Sequence, residues 1–228
     1  MRRVIVCLLL LGGSALASGT EFVRAPGFAY SGPAKASGVL VWIPGTYGRD
    51  QSGPPDPPDF VDREAASGMD VWCFNRDRGD DPLARGGEML AHEIQALREL
   101  GYRRVVVAGH SRGAWIALMV LAHPGLADGV VAFDPAAHGR QEARKAQAMA
   151  DWTTLWAAAT NNGTHVVLVQ LLDDPWDPDP PRRLAVARER LGANLLSIFQ
   201  PAEPTGHSGV YDPAFDEHFG ARIAGFLP

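Results

Sequence analysis

The sequence predicts one α/β domain: a doubly wound, mostly parallel sheet with helices on both faces and no large cap domain. Three observations carry that reading. Short runs of β-branched and other apolar residues recur at 39–43, 69–74, 104–108, 130–133, 165–172 and 195–199. Stretches of helical spacing separate them. The runs are apolar at consecutive rather than alternate positions, so both strand faces are covered, as in parallel strands joined by right-handed crossover helices.

The elements follow in order. Residues 39–43 form a strand that Pro44-Gly45 stops, and 51–58, rich in Pro and Asp, form a loop leading to a short helix near 60–66. After the strand at 69–74, Met89, Ile94, Leu97 and Leu100 recur at helical spacing, with Gly101 as the C-terminal cap. Strand 104–108 leads to a helix over 114–122, stopped by His123-Pro124-Gly125. Strand 130–133 leads to an Ala-rich helix over 141–159 that carries Met149, Trp152 and Trp156 and ends at Asn161-Asn162-Gly163. That interval holds one crossover helix and no cap. Strand 165–172, helix 181–191, strand 195–199 and helix 215–226 complete the chain. The stretch before residue 38 is too short for a full set of leading strands, so a trimmed sheet edge is expected.

Composition narrows the function. The 228 residues are 46% apolar and 21% charged, in keeping with one sizeable globular core. A net charge of -5 leaves no basic excess to neutralise phosphates, which disfavours nucleic acid as a partner. Two cysteines build neither a disulfide framework nor a cysteine-rich zinc site, and no H-E-x-x-H cluster is present, so no cofactor is expected. The first 17 residues read as a signal peptide. Met1-Arg2-Arg3 is cationic, 4–11 is an unbroken apolar run, and Ala15-Leu16-Ala17 is a small-x-small cleavage site. The run is shorter than the roughly 20 residues a spanning helix needs. Cleavage after Ala17 would leave 18–228 as the exported domain without a membrane anchor, with Cys73 its one thiol.

Gly109-His110-Ser111-Arg112-Gly113 is a G-x-S-x-G pentapeptide placed between a strand and a helix. A serine on that turn projects its hydroxyl above the sheet edge. The flanking glycines remove β-carbons that would meet the neighbouring strand and helix. The helix start beneath offers amide donors to a developing oxyanion. A serine hydroxyl also needs a base. His110 lies on the tight turn itself and points elsewhere, while His92, His123, His138, His165 and His218 sit in helical or turn contexts. His207, in Pro204-Thr205-Gly206-His207-Ser208-Gly209, follows the last strand on the serine's edge of the sheet and is the candidate base. The base in turn needs a carboxylate to orient it. Asp173, Asp174, Asp177 and Asp179 follow the strand at 165–172, and Asp134 ends the strand before.

This arrangement resembles the α/β-hydrolase superfamily over roughly residues 38–228. The order Ser111, Asp174, His207 is the superfamily's chain order. Many members place the acid just before a short hydrophobic-Pro segment, as Asp174 precedes Pro175-Trp176-Asp177-Pro178. Lipase-like members with the acid one strand earlier keep Asp134 in play. The resemblance implies oxyanion amides from Arg112 and from the loop after an early strand, Thr46 by position or else Tyr47. Pro44 stands there where a histidine is usual. Tyr47 and Trp176 are candidates for touching substrate.

Without a cap the site should be open, bordered by loops that carry Arg76, Arg78, Arg112, Arg182 and Arg183. Those arginines either receive an anionic group of the substrate or pair with Asp77, Asp80, Asp81 and Asp179. The expected activity is serine hydrolysis of small to medium carboxylic esters through a Ser111 acyl-enzyme. Thioester, amide or peptide hydrolysis by the same residues is the nearest alternative. A binding protein of this fold without catalysis is the alternative from another class, and labelling of Ser111 by a fluorophosphonate separates it from the others.

Overall fold

The structure, a computed structural model, describes residues 20–47, 54–76, 82–160 and 163–228. The expected signal peptide, its cleavage site and Arg78 lie outside the described residues. The strands are β1 (Glu21–Arg24), β2 (Gly38–Ile43), β3 (Met69–Asn75), β4 (Val105–His110), β5 (Gly129–Phe133), β6 (His165–Gln170) and β7 (Leu195–Phe199). They form one sheet in the order β1-β3-β2-β4-β5-β6-β7, parallel throughout except for β1. The register sets Val41 beside Val107, Val107 beside Val130 and Val131 beside Val167.

The central strands β2, β4, β5 and β6 are dry on both faces, which explains their unbroken apolar runs. Val39, Val41, Val107, Val130 and Val166 pack on one face. They meet helices α2 (Leu83–Leu100), α3 (Arg112–Met119), α4 (Lys145–Ala158) and α5 (Pro180–Leu191) through Leu90, Ile116, Trp152 and Leu184. Leu40, Trp42, Val106, Phe133 and Val167 pack on the other. There they meet α1 (Asp59–Ala66) and the closing segment through Phe60, Phe215 and Ile223. Each such side chain contributes about 1.5–3 kcal/mol on leaving water. Among the described residues no helix is long and apolar enough to cross a membrane.

Four details differ from the sequence reading. The trimmed edge carries an antiparallel strand, β1, whose charged ends Glu21 and Arg24 masked it. β6 stops at Gln170 because the next amide, Leu171 N–H, turns to the Asp134 carboxyl at 2.7 Å. The helix expected over 141–159 starts with a 3-10 turn, Glu142–Arg144, before α4. The closing helix is broken into α6 (Pro213–Phe215), a π-helical Asp216–Gly220 and α7 (Ala221–Phe226).

Candidate active site

Ser111 sits between β4 and α3 with φ 55° and ψ −121°, a conformation that costs a non-glycine residue about 1–3 kcal/mol. Its surroundings hold it there. Ser111 N–H donates to the Phe133 carbonyl (2.9 Å), and its own carbonyl accepts from Trp115 N–H (3.1 Å) and Ala136 N–H (3.0 Å). The two glycines of the pentapeptide make the turn possible. A β-carbon on Gly109 would lie 2.6 Å from the Gly113 carbonyl carbon, and one on Gly113 would lie 2.6 Å from the Pro44 carbonyl oxygen.

His207 arrives on the loop after β7. The Ser111 hydroxyl donates to His207 Nε2 at 2.8 Å, and His207 Nδ1–H donates to Asp174 Oδ2 at 3.0 Å. These donor roles are those of a neutral imidazole that accepts from serine. Asp174 Oδ1 accepts the Trp176 backbone N–H (2.8 Å), so both carboxylate oxygens are engaged. The Asp174 side chain is only 2% exposed, and that of His207 16%. Gly206 N–H donates to the Leu172 carbonyl (2.7 Å), tying the histidine loop to the stretch that delivers the acid.

The other acids do different things. Asp134 is buried beneath the site at φ 45°, with Oδ1 accepting Leu171 N–H. Burial lifts its carboxyl well above the usual carboxylate range, against the pull of that hydrogen bond, and the charges of Asp174 and Asp177 add to the rise. Asp177 forms a buried pair with Arg183 (2.9 Å) and accepts from Gln170 Nε2 (2.6 Å). Asp179 caps α5 by accepting Arg182 N–H, and Asp173 is exposed at a turn with φ 61°. Of these carboxylates, Asp174 is the one bonded to His207.

The buried arginines Arg76 and Arg183 are engaged with loop carbonyls. Arg183 donates to the Pro135 carbonyl (2.7 Å), with its guanidinium carbon 3.9 Å from the centre of the Trp152 ring. Arg76 donates to the Pro44 carbonyl (3.1 Å) and thereby holds the loop over Ser111. Arg183 was thus misread as a loop cation. It lies on the inner face of α5 with Leu184, Ala187 and Leu191.

Sequence reasoning missed His110. Its side chain turns beneath the histidine loop, where Nε2–H donates to the His207 carbonyl at 2.7 Å. Its ring lies 4.9 Å from the His207 ring and 5.1 Å from that of Tyr211, whose hydroxyl faces His110 Nδ1 at 3.4 Å. Burial, with the neighbouring His207 next in weight, lowers His110 to about 4 from its ordinary 6.5. Unfolded His110 therefore takes up a proton near pH 6.5, and folded His110 only near 4. The stability tied to its neutral form is complete above pH 6.5 and is lost as pH falls towards 4, a change of about 3 kcal/mol. His110→Gln keeps a donor for the His207 carbonyl but does not titrate. Thermal unfolding at pH 7, 5 and 4 should show a shallower loss for this variant than for the wild type. Equal slopes would refute the assignment.

Ser111, His207, Thr46, Tyr47, Arg112 and Trp176 line one cleft of about 440 Å³, together with Ala136, Ala137 and His138. The Trp176 ring lies 5.7 Å from that of His207. Arg112 is the first residue of α3, where amides lack intrahelical acceptors. A β-carbon on Gly45 would come within 3.1 Å of Ser111 Cβ, so the loop bearing Thr46 runs close over the serine.

Comparison with solved structures decides the architecture. The chain is similar to an acetyl xylan esterase from Paenibacillus sp. R4, with TM-score 0.60 and 14% identity over 91% of this chain and 79% of that one. It is also similar to the esterase Pf2001 of Pyrococcus furiosus, with TM-score 0.57 and 14% identity over 83% and 80% of the two chains. This is the α/β-hydrolase fold. Dipeptidyl peptidase 4 of Porphyromonas gingivalis shares it at TM-score 0.62 and 18% identity, over 91% of this chain and 33% of that one. No protein-family model and no curated protein matches the sequence. Within the α/β-hydrolase fold, the serine turn follows β4, the Asp174 loop β6 and the His207 loop β7, all at the carboxyl ends of parallel strands.

Proposed function

We propose that this protein is an exported serine hydrolase that cleaves small to medium carboxylic esters through an acyl-enzyme on Ser111. The observation that carries the reading is one histidine, His207, hydrogen-bonded at once to Ser111 Oγ and to the buried Asp174. Ser111 Oγ attacks the ester carbonyl while His207 Nε2 takes its proton, and Asp174 holds the resulting imidazolium. The Arg112 and Thr46 amides are assigned to the oxyanion. As the tetrahedral intermediate collapses, the carbon–oxygen bond breaks and His207 returns the proton to the departing alcohol. Water, deprotonated by the same imidazole, then releases the acid and restores the serine.

The test is labelling with a fluorophosphonate, followed by 4-nitrophenyl esters of graded chain length beside a thioester and a 4-nitroanilide. Labelling at Ser111 with turnover greatest on short and medium esters supports the reading. A chain that folds but neither labels nor turns over any of these is a binding protein of this fold. Faster anilide or thioester turnover moves the assignment to amides or thioesters.

Export is part of the proposal and rests on the cationic start, apolar run and small-x-small site of residues 1–17. Protein recovered from the periplasm or medium should begin at Ser18 by mass analysis. An intact Met1 there overturns it.

A further inference from the structure

We propose that the cleft selects esters bearing a carboxylate, which Arg140 receives at the rim with Trp176 beneath it. The inference rests on the hydrolase reading above and adds a substrate class to it. Beside the cleft is a small depression that shares His138, Gly139 and Trp176 with it and adds Arg140 and Lys145. The guanidinium carbon of Arg140 lies 5.6 Å from the centre of the Trp176 ring, on the scale of a cation–π contact. Trp176 in turn faces the His207 ring at 5.7 Å. The indole is thus within contact distance of both the base and the guanidinium, and a ligand spanning it would carry its anionic group several bonds from the ester.

Around Trp176, Arg140 and Arg144, the latter with its Cδ 3.9 Å from where a β-carbon on Gly139 would stand, are cations outside the ion pairs of the described residues, and Arg140 is the one over the indole. Asp174 is held by His207 and the Trp176 amide. Asp151 accepts from His138 (2.8 Å) and Gln147 (2.7 Å), and Glu142 pairs with Lys145 (2.7 Å). Among the described residues no carboxylate stands within ion-pair distance of Arg140, although the chain as a whole carries a net charge of -5. A planar guanidinium backed by an aromatic face matches a carboxylate in shape, offering two parallel N–H donors. Tyr47, Ala136 and Ala137 give the cleft an uncharged stretch, and Arg112, whose guanidinium donates to the Ala137 carbonyl at 3.3 Å, also lines it.

The carboxylate can belong to the alcohol or to the acyl portion, and two matched pairs of substrates separate these. One pair is 4-carboxyphenyl butyrate and 4-carbamoylphenyl butyrate. The other is the 4-nitrophenyl monoester of glutaric acid and its terminal carboxamide. In at least one pair the carboxylate member should have a kcat/KM about five- to tenfold higher, chiefly through KM, and the ratio should shrink in 0.5 M salt. The pair that discriminates identifies the portion. Arg140→Gln should bring the ratio to about one, and Arg140→Glu should invert it. Turnover of all four esters without discrimination overturns this inference and leaves the hydrolase reading standing, as does a preference that survives in Arg140→Gln. Failure to turn over any of the four, with no fluorophosphonate labelling, overturns both.

Discussion

Replacing Ser111 with alanine should abolish fluorophosphonate labelling and lower ester turnover by at least about 10⁴-fold. The loss is that large because the proposed mechanism uses Ser111, His207 and Asp174 as a unit, and hydrogen bonds of 2.8 and 3.0 Å join them. Without the hydroxyl, the imidazole has nothing to deprotonate and the strained turn presents only a methyl group. The backbone bonds that hold the turn, from Ser111 N–H to Phe133 and from Trp115 and Ala136 to the Ser111 carbonyl, do not involve the side chain. The variant should therefore fold, and its melting temperature should stay near that of the wild type. Full labelling of Ser111→Ala would show that another residue is the nucleophile.

The second large effect separates the acids. Asp174→Asn should lower kcat by about 10⁴-fold, because an asparagine amide favours the wrong histidine tautomer and cannot stabilise the imidazolium. Asp134→Asn should cost far less. Burial raises the Asp134 carboxyl well above the usual carboxylate range, which favours its neutral form, and asparagine preserves an oxygen for Leu171 N–H. Asp177→Asn should also spare the chemistry, but it leaves Arg183 without its buried partner, at a cost of about 3–5 kcal/mol of stability. Steady-state kinetics and thermal melts on the three variants distinguish these outcomes. Should Asp134→Asn prove the crippling change, the acid belongs to the end of β5, and Asp174 is only a loop brace.

The sheet was legible because its central strands are dry on both faces and because helices such as α2 carry their apolar residues on one side. The meeting of Ser111, Asp174 and His207 was legible because parallel strands deliver all their following loops to one edge. What sequence could not reveal depends on contacts without a period. β1 is four residues with charged ends, readable only through its pairing with β3. Arg183 occupies an apolar face of α5, where a cation is unexpected until Asp177, Pro135 and Trp152 are seen around it. His110 is adjacent to the serine in sequence, yet its partner is a carbonyl 97 residues later, and no spacing rule links the two. The phenol that completes its pocket, Tyr211, lies in a 3-10 turn that no periodicity marks.

The two oxygens of Asp174 point in different directions. Oδ2 receives the histidine, and Oδ1 fixes the backbone amide of Trp176, whose ring forms one wall of the cleft. A single carboxylate therefore sets both how strongly the base is held and where the recognition wall stands. Adaptation to a new substrate by remodelling residues 175–178 would tug on the same side chain that, in the proposed mechanism, orients the base. Altered selectivity at this wall should come with altered rate, even for substitutions that never touch the histidine. Tyr47, which also lines the cleft and carries no assigned part in the chemistry, has no such tie to Asp174 among the hydrogen bonds of the described residues. Selection for new substrates at constant turnover should accumulate its changes there.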